Sequence, residues 1–208
     1  MTPLHVAAAE GDRSRVKELL DHGGNVNASD LLNNTPLVYA ARNGHEDVAE
    51  LLIAKGACVR WNNDRALCEA VKNRHAPVVE LLLAKGANAN AKGGMHDTTP
   101  LHIATRRNFR EIMEKLMGKG SDVNARKTTG ETPLHIAAEN NNRGIVKMLI
   151  LHGADVDARD EYGKTPLARA EETQKTYKEQ AAKGIDTPSA LLDYSSVIRL
   201  LKKRGGHD

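Results

Sequence analysis

Large rings are almost missing from this 208-residue chain: aromatic residues make up 3%, with one Trp and one Phe. A core without them has to be thin and built from Ala, Leu, Val and Ile, which is what side-by-side stacking of small repeated units produces. Cysteine is as scarce. Cys58 and Cys68 form no CxxC pair and have no matching His cluster, so a disulfide framework is not expected, and a reducing compartment, the cytoplasm, is the simpler assignment. Long hydrophobic runs are lacking too. Stretches such as Leu81–Ala84 are far too short to cross a bilayer, and Pro3 and His5 interrupt the first apolar residues, so neither a membrane span nor a signal peptide is expected. The formal charge of +3 shows no large excess of one sign. Basic residues are interrupted by acidic ones and lack interleaved aromatics for base stacking, which weighs against nucleic acid as a partner.

What the chain does have is a period. Thr-Pro-Leu occurs at Thr2, Thr35, Thr99, Thr132 and Thr165, at intervals of 33, 64, 33 and 33 residues. The long interval holds a degenerate copy in which Arg65-Ala66-Leu67-Cys68 stands where Thr-Pro-Leu-His stands elsewhere. A second marker keeps the same phase: Gly23, Gly56, Gly86, Gly120 and Gly153 each lie 21 residues after a start.

Each unit has a physical reading. Thr followed by Pro opens a helix, because the hydroxyl can cap orphan N–H groups and proline at the first position has none to lose. A short Ala-rich helix follows, as in Leu134-His135-Ile136-Ala137-Ala138, and small side chains let a neighbouring helix come close. A second helix carries apolar residues at helical spacing, for example Ile145, Val146, Leu149 and Ile150, and stops at glycine. Segments such as Ala154-Asp155-Val156-Asp157-Ala158 then read as turns leading to the next start. Taken together, Thr132-Pro-Leu-His-Ile-Ala-Ala, the paired leucines and Gly-Ala-Asp-Val-Asp-Ala resemble the ankyrin repeat over essentially residues 1–208. The resemblance implies one all-α domain, a solenoid of about six helix-turn-helix units with hairpin-like tips, at 1–34, 35–64, 65–98, 99–131, 132–164 and 165–208.

Three departures from the pattern stand out. The link from Gly56 to Arg65 is 9 residues against 12 from Gly23 to Thr35. This places Trp61 at a trimmed tip, either exposed as an anchor or folded back to fill the gap. The link from Gly86 to Thr99 is one residue longer and contains Gly93-Gly94-Met95-His96. The last unit carries an insertion of 19 residues. Glu171–Lys183 is rich in good helix formers, Gly184 and Pro188 mark a loop, and a final helix is expected near Ser189–Lys203, as a polar cap on the last apolar face. At the other end, Arg15 and Glu18 replace apolar residues and make the first unit partly polar.

Nine histidines invite a metal or catalytic reading. However, His5, His102 and His135 recur with the structural period, so their role is structural. HExxH, GxSxG, a phosphate-cradling loop and EF-hand spacing are all missing. No catalytic residue, metal or cofactor is expected, and the chain reads as a non-enzyme.

By resemblance to ankyrin proteins, contacts come from the tips and from the two positions after each Ala-Ala pair. These nominate Leu31, Leu32, Arg42, Asn43, Trp61, Lys72, Asn73, Met95, His96, Arg106, Arg107, Glu139, Asn140 and Tyr162. Charge changes sign along them, from Arg42, Lys72, Arg106 and Arg107 to Glu139, Glu171 and Glu172, which suggests a groove basic at its centre and acidic at its C-terminal end. The expected function is a protein–protein interaction module, monomeric, whose partner presents an acidic stretch. The alternative is a regulatory or targeting segment of a larger enzyme, channel or secreted effector, motivated by a chain that opens directly on a repeat helix.

Overall fold

The computed structural model describes residues 1–93, 98–188 and 193–205. Among these residues it contains twelve α-helices and no β-strand. They are α1 (Pro3–Glu10), α2 (Arg13–Asp21), α3 (Pro36–Asn43), α4 (Glu46–Ala54), α5 (Trp61–Lys72), α6 (Ala76–Ala84), α7 (Pro100–Arg106), α8 (Arg110–Gly118), α9 (Pro133–Glu139), α10 (Arg143–Leu151), α11 (Pro166–Ala182) and α12 (Ser195–Lys203). Thr2, Thr35, Thr99, Thr132 and Thr165 all hold extended backbone as N-caps, each with proline next. The step from first to second helix passes through one left-handed residue at Gly11, Gly44, Arg74, Asn108 and Asn141.

Contacts gather the chain into two compact units, residues 1–94 with 111–121 and residues 95–110 with 122–208. In the first unit α1, α3 and α5 lie side by side, and α2, α4 and α6 back them. Its core is a row of fully buried leucines, Leu37, Leu52, Leu67 and Leu82, set among alanines that let the helices close up. At its N-terminal edge α2 buries only Val16, and Arg15 and Glu18 form an exposed ion pair at 2.7 Å, as expected of a polar first unit. In the second unit α9 packs against α7, α10 and α11, and α12 packs on α10 and α11. Leu101, Leu134, Leu149, Leu167, Val197 and Leu201 form that core.

Two histidines outside the Thr-Pro-Leu-His set tie neighbouring turns together. His45 Nε2 is 3.0 Å from the Ala9 carbonyl, and His75 Nε2 is 3.0 Å from that of Arg42. Each ring lies under a left-handed glycine: a Cβ on Gly11 would fall 2.5 Å from His45 Nδ1, and one on Gly44 2.4 Å from His75 Nδ1. Gly44→Ala therefore meets a φ of +81° that disfavours any Cβ and a ring tethered by its bond to the Arg42 carbonyl. It is expected to cost about 2–4 kcal/mol in urea unfolding. Part of that loss should disappear in a His75→Ala background, and an equal loss in both backgrounds would reject the steric account.

Candidate functional site

Two of the turns before the Thr-Pro starts are fixed by acids, Asp30 half-buried and Asp160 buried. Asp30 Oδ1 accepts from the N–H groups of Leu32 (2.8 Å) and Asn34 (2.9 Å), and its Oδ2 accepts from the Tyr39 hydroxyl at 2.6 Å. Burial works against ionisation there, but these donors together hold the Asp30 carboxyl well below the usual carboxylate range. Asp160 does the same, accepting from the N–H groups of Tyr162 and Lys164 (2.9 Å each) and from Arg169 Nε at 2.6 Å. The turns are thus held from beneath while their tips point outward. Leu31 is 101% exposed, Leu32 69% and Tyr162 68%. The Arg169 guanidinium also lies over the Tyr162 ring, 5.4 Å from its centre.

Asn27, Asn90 and Asn124 lie on connecting segments between helix pairs. Their side-chain amides donate to the carbonyls of Gly56, Gly120 and Gly153, each at 3.0 Å, so they bind one turn to the next.

Trp61 is half-buried, and its indole N–H donates to the Asn33 carbonyl at 3.3 Å. It fastens the shortened segment to the preceding turn, and only part of the ring faces solvent. Behind it Asn62, Asn63 and Asp64 make a left-handed turn, with φ of 48°, 54° and 55°. Met95 and His96 lie outside the described residues.

The expected alternation of charge is largely paired internally. Arg42 Nε and Lys72 Nζ each lie 3.0 Å from a carboxylate oxygen of Glu69, an acid of α5 that is 8% exposed. Burial opposes its ionisation, yet these two cations hold the Glu69 carboxyl below its ordinary range. Two cations sharing one carboxylate leave a single net positive charge. The amides of Asn43 and Asn73 are also engaged, donating to the carbonyls of Ala9 (2.7 Å) and Glu69 (2.9 Å). At the C-terminal end Glu171 pairs with Lys202 at 2.8 Å and Glu172 with Lys164 at 2.5 Å.

Arg106 and Arg107 differ. Both are exposed, and neither forms an ion pair among the described residues. Together with Glu139 and Asn140 they line one open cleft of about 340 Å³ in the second unit. Four nominated residues are thereby brought to one place. The cleft is completed by residues that sequence reasoning missed, Asn108, Asn142, Tyr177 and Tyr194. Tyr194 is 1% exposed, and its hydroxyl donates to the Glu139 carbonyl at 2.7 Å, while Asn141 Nδ2 donates to the Asp193 carbonyl at 2.8 Å. The final helix is described from Ser195, and just before it Asp193 Oδ1 accepts from the Ser195 N–H at 2.8 Å; the start expected near Ser189 falls on residues 189–192, outside the described residues.

The periodic histidines are fasteners. His5, His102 and His135 each place Nδ1 within 2.9 Å of the hydroxyl of the Thr that opens their helix, Thr2, Thr99 and Thr132. Their Nε2 atoms reach the carbonyls of Asn34, Glu131 and Lys164, the residues that precede the next Thr-Pro start or its equivalent, at 3.0–3.1 Å. A carbonyl only accepts, so Nε2 carries the proton and Nδ1 is the acceptor. Among the described residues no three His, Cys, Asp or Glu side chains gather as a metal site, and no helix is long and apolar enough to cross a membrane.

Comparison with known proteins agrees with this architecture. The family described as ankyrin repeats (3 copies) matches residues 1–63, 58–127 and 101–179. Osteoclast-stimulating factor 1 of Danio rerio is 39% identical over 56 residues, 27% of this chain and 26% of that protein. The ARF GTPase-activating protein Git of Drosophila melanogaster is 46% identical over 52 residues, 25% of this chain and 7% of that one. The chain thus matches about a quarter or less of the length of these relatives. A solved structure matches nearly end to end: a chain from the Bd0816 predatory endopeptidase of Bdellovibrio bacteriovorus in complex with immunity protein Bd3460. The match has a TM-score of 0.76 and 31% identity, over 92% of this chain and 97% of that chain. On its repeats, the twelve helices of its described residues and these matches, this chain belongs to the ankyrin-repeat family.

Proposed function

We propose that the chain is a protein-binding module that engages its partner through outward-held turn residues and the exposed ends of its short first helices. The observation that carries this reading is the exposure of Leu31, Leu32 and Tyr162 on turns locked by Asp30 and Asp160. Large apolar side chains displayed on a rigid backbone lose little entropy on binding and make effective anchors. Charges such as Arg106 and Arg107 then steer encounter and set register more than they add affinity.

The near end-to-end similarity to a chain of an endopeptidase–immunity protein complex supports a partner of the endopeptidase class, bound and kept from its substrates. Calorimetric titration of the chain into the Bd0816 endopeptidase tests this. A saturable complex is expected, and the Leu31→Asp/Leu32→Asp variant, altered only at exposed positions, should bind at least about tenfold more weakly. No complex with the wild-type chain would reject the endopeptidase as partner. Equal affinity for wild type and variant would reject the turn as an anchor.

A further inference from the structure

Helix α11 runs 17 residues where α1, α3, α7 and α9 run 7 or 8. Its buried side chains are Pro166, Leu167 and Ala170, all near its start, and Glu171 to Ala182 bury none. At 1.5 Å per residue this part is about 18 Å of helix without one fully buried side chain. Capping is already achieved by Leu167, Ala170, Val197 and Leu201, all within 1% of full burial. What the added length does is place Tyr177 in the wall of the cleft that holds Arg106 and Arg107. The returning strand of chain is pinned beside it, with Tyr194 bonded to the Glu139 carbonyl.

We infer that the enlarged last helix pair completes a carboxylate-binding cleft, in which an acidic segment of the partner protein meets Arg106 and Arg107 against the Tyr177 ring. This rests on the protein-binding reading above. Charge complementarity names the occupant: neither guanidinium group forms an ion pair among the described residues, and paired Arg–carboxylate bonds are strong and directional. Volume limits it, since about 340 Å³ admits a few side chains and not a folded body. Glu139 on the same cleft disfavours a dense run of negative charge and selects a short acidic stretch. A second basic cleft, lined by Arg143, Arg199, Lys203, Ser196 and Leu200, carries more positive charge but no aromatic wall, which makes it an internal control.

The experiment is calorimetric titration with hexaglutamate, with hexaglutamine and with inorganic phosphate at fixed ionic strength. Hexaglutamate should bind saturably and hexaglutamine should not. Arg106→Gln/Arg107→Gln should weaken hexaglutamate at least about tenfold, Tyr177→Ala about three- to tenfold, and Glu139→Gln should strengthen it. Arg143→Gln/Arg199→Gln/Lys203→Gln should leave it unchanged. Phosphate binding more tightly than hexaglutamate would overturn the carboxylate assignment. So would a loss confined to the Arg143, Arg199 and Lys203 variant, or indifference to Tyr177→Ala. The same variants titrated into the endopeptidase separate the two ideas. A wild-type complex insensitive to the Arg106, Arg107 and Tyr177 changes overturns the cleft while the binding reading stands, and no wild-type complex rejects the endopeptidase as partner.

Discussion

Acidifying the protein from pH 6.5 to about 4 is expected to remove about 3 kcal/mol of stability through His102 alone. Burial pushes the His102 imidazolium down to about 4, outweighing the help it receives from the Glu131 carbonyl. The folded protein therefore keeps this ring neutral while the unfolded chain takes up a proton near 6.5. Stability is complete above 6.5, falls as the unfolded state gains the proton it alone can hold, and is fully lost once the pH drops through the folded value. His135 is lowered chiefly by burial and acts in the same direction. Asp64, raised by burial, opposes them, whereas the lowered carboxyls of Asp30 and Glu69 begin to lose their contribution as the pH nears their unfolded values of 3.8 and 4.5 and continue to lose it below. Urea midpoints across this range, for wild type and for His102→Gln, give the measurement. Gln cannot take up the proton, so the variant should start less stable at neutral pH and show a flatter decline. Parallel declines in the two proteins would show that His102 is not the group that titrates.

How far the sequence reaches can be seen residue by residue. The helix starts were legible because Thr-Pro is a local signal: extended backbone at the threonine and a pre-set φ at the proline need no knowledge of neighbours. The periodic histidines were legible as structural because a residue that repeats with the fold belongs to the fold, and the bonds to Asn34, Glu131 and Lys164 give that role its atoms. The turn exposing Leu31 and Leu32 follows from Asp30, whose short side chain captures the backbone two and four residues on. Pairings across helices were not legible. Glu69 sits mid-helix in α5, and nothing in its local sequence says that Arg42, 27 residues earlier, is its partner. The cleft at Arg106 and Arg107 needs Tyr177 and Tyr194, which lie in a run of helix formers and a loop and acquire meaning only when the chain folds back on the α9–α10 turn. His45 and His75 left a fainter trace. They follow Asn-Gly and Asn-Arg directly, and a stiff ring next to a left-handed residue at the same place in two units was a signal that could have been read.

Leu134→Ala should cost about 2–5 kcal/mol, the largest loss expected from any single leucine in the second unit. Leu134 is 0% exposed and sits in the first turn of α9, the helix that touches α7, α10 and α11. Truncation deletes the isopropyl end of its side chain on the helix that packs against three others. The space left cannot collapse easily, because the first helices of this unit bury mostly alanines, Ala104, Ala137, Ala138 and Ala170, each fully buried and with no side-chain length to move into a gap. The thin core that a chain poor in aromatics has to build is therefore also an unforgiving one. Leu31→Ala, at a leucine with no buried surface, should stay within about 0.5 kcal/mol of wild type in the same urea titration. The contrast carries the test. If the two variants unfold at the same midpoint, Leu134 is not a core residue and the stacking of α9 between α7 and α11 is wrong. A loss for Leu134→Ala with Leu31→Ala silent, together with weakened binding by the Leu31 variant, separates the residues that hold this fold from those it holds out.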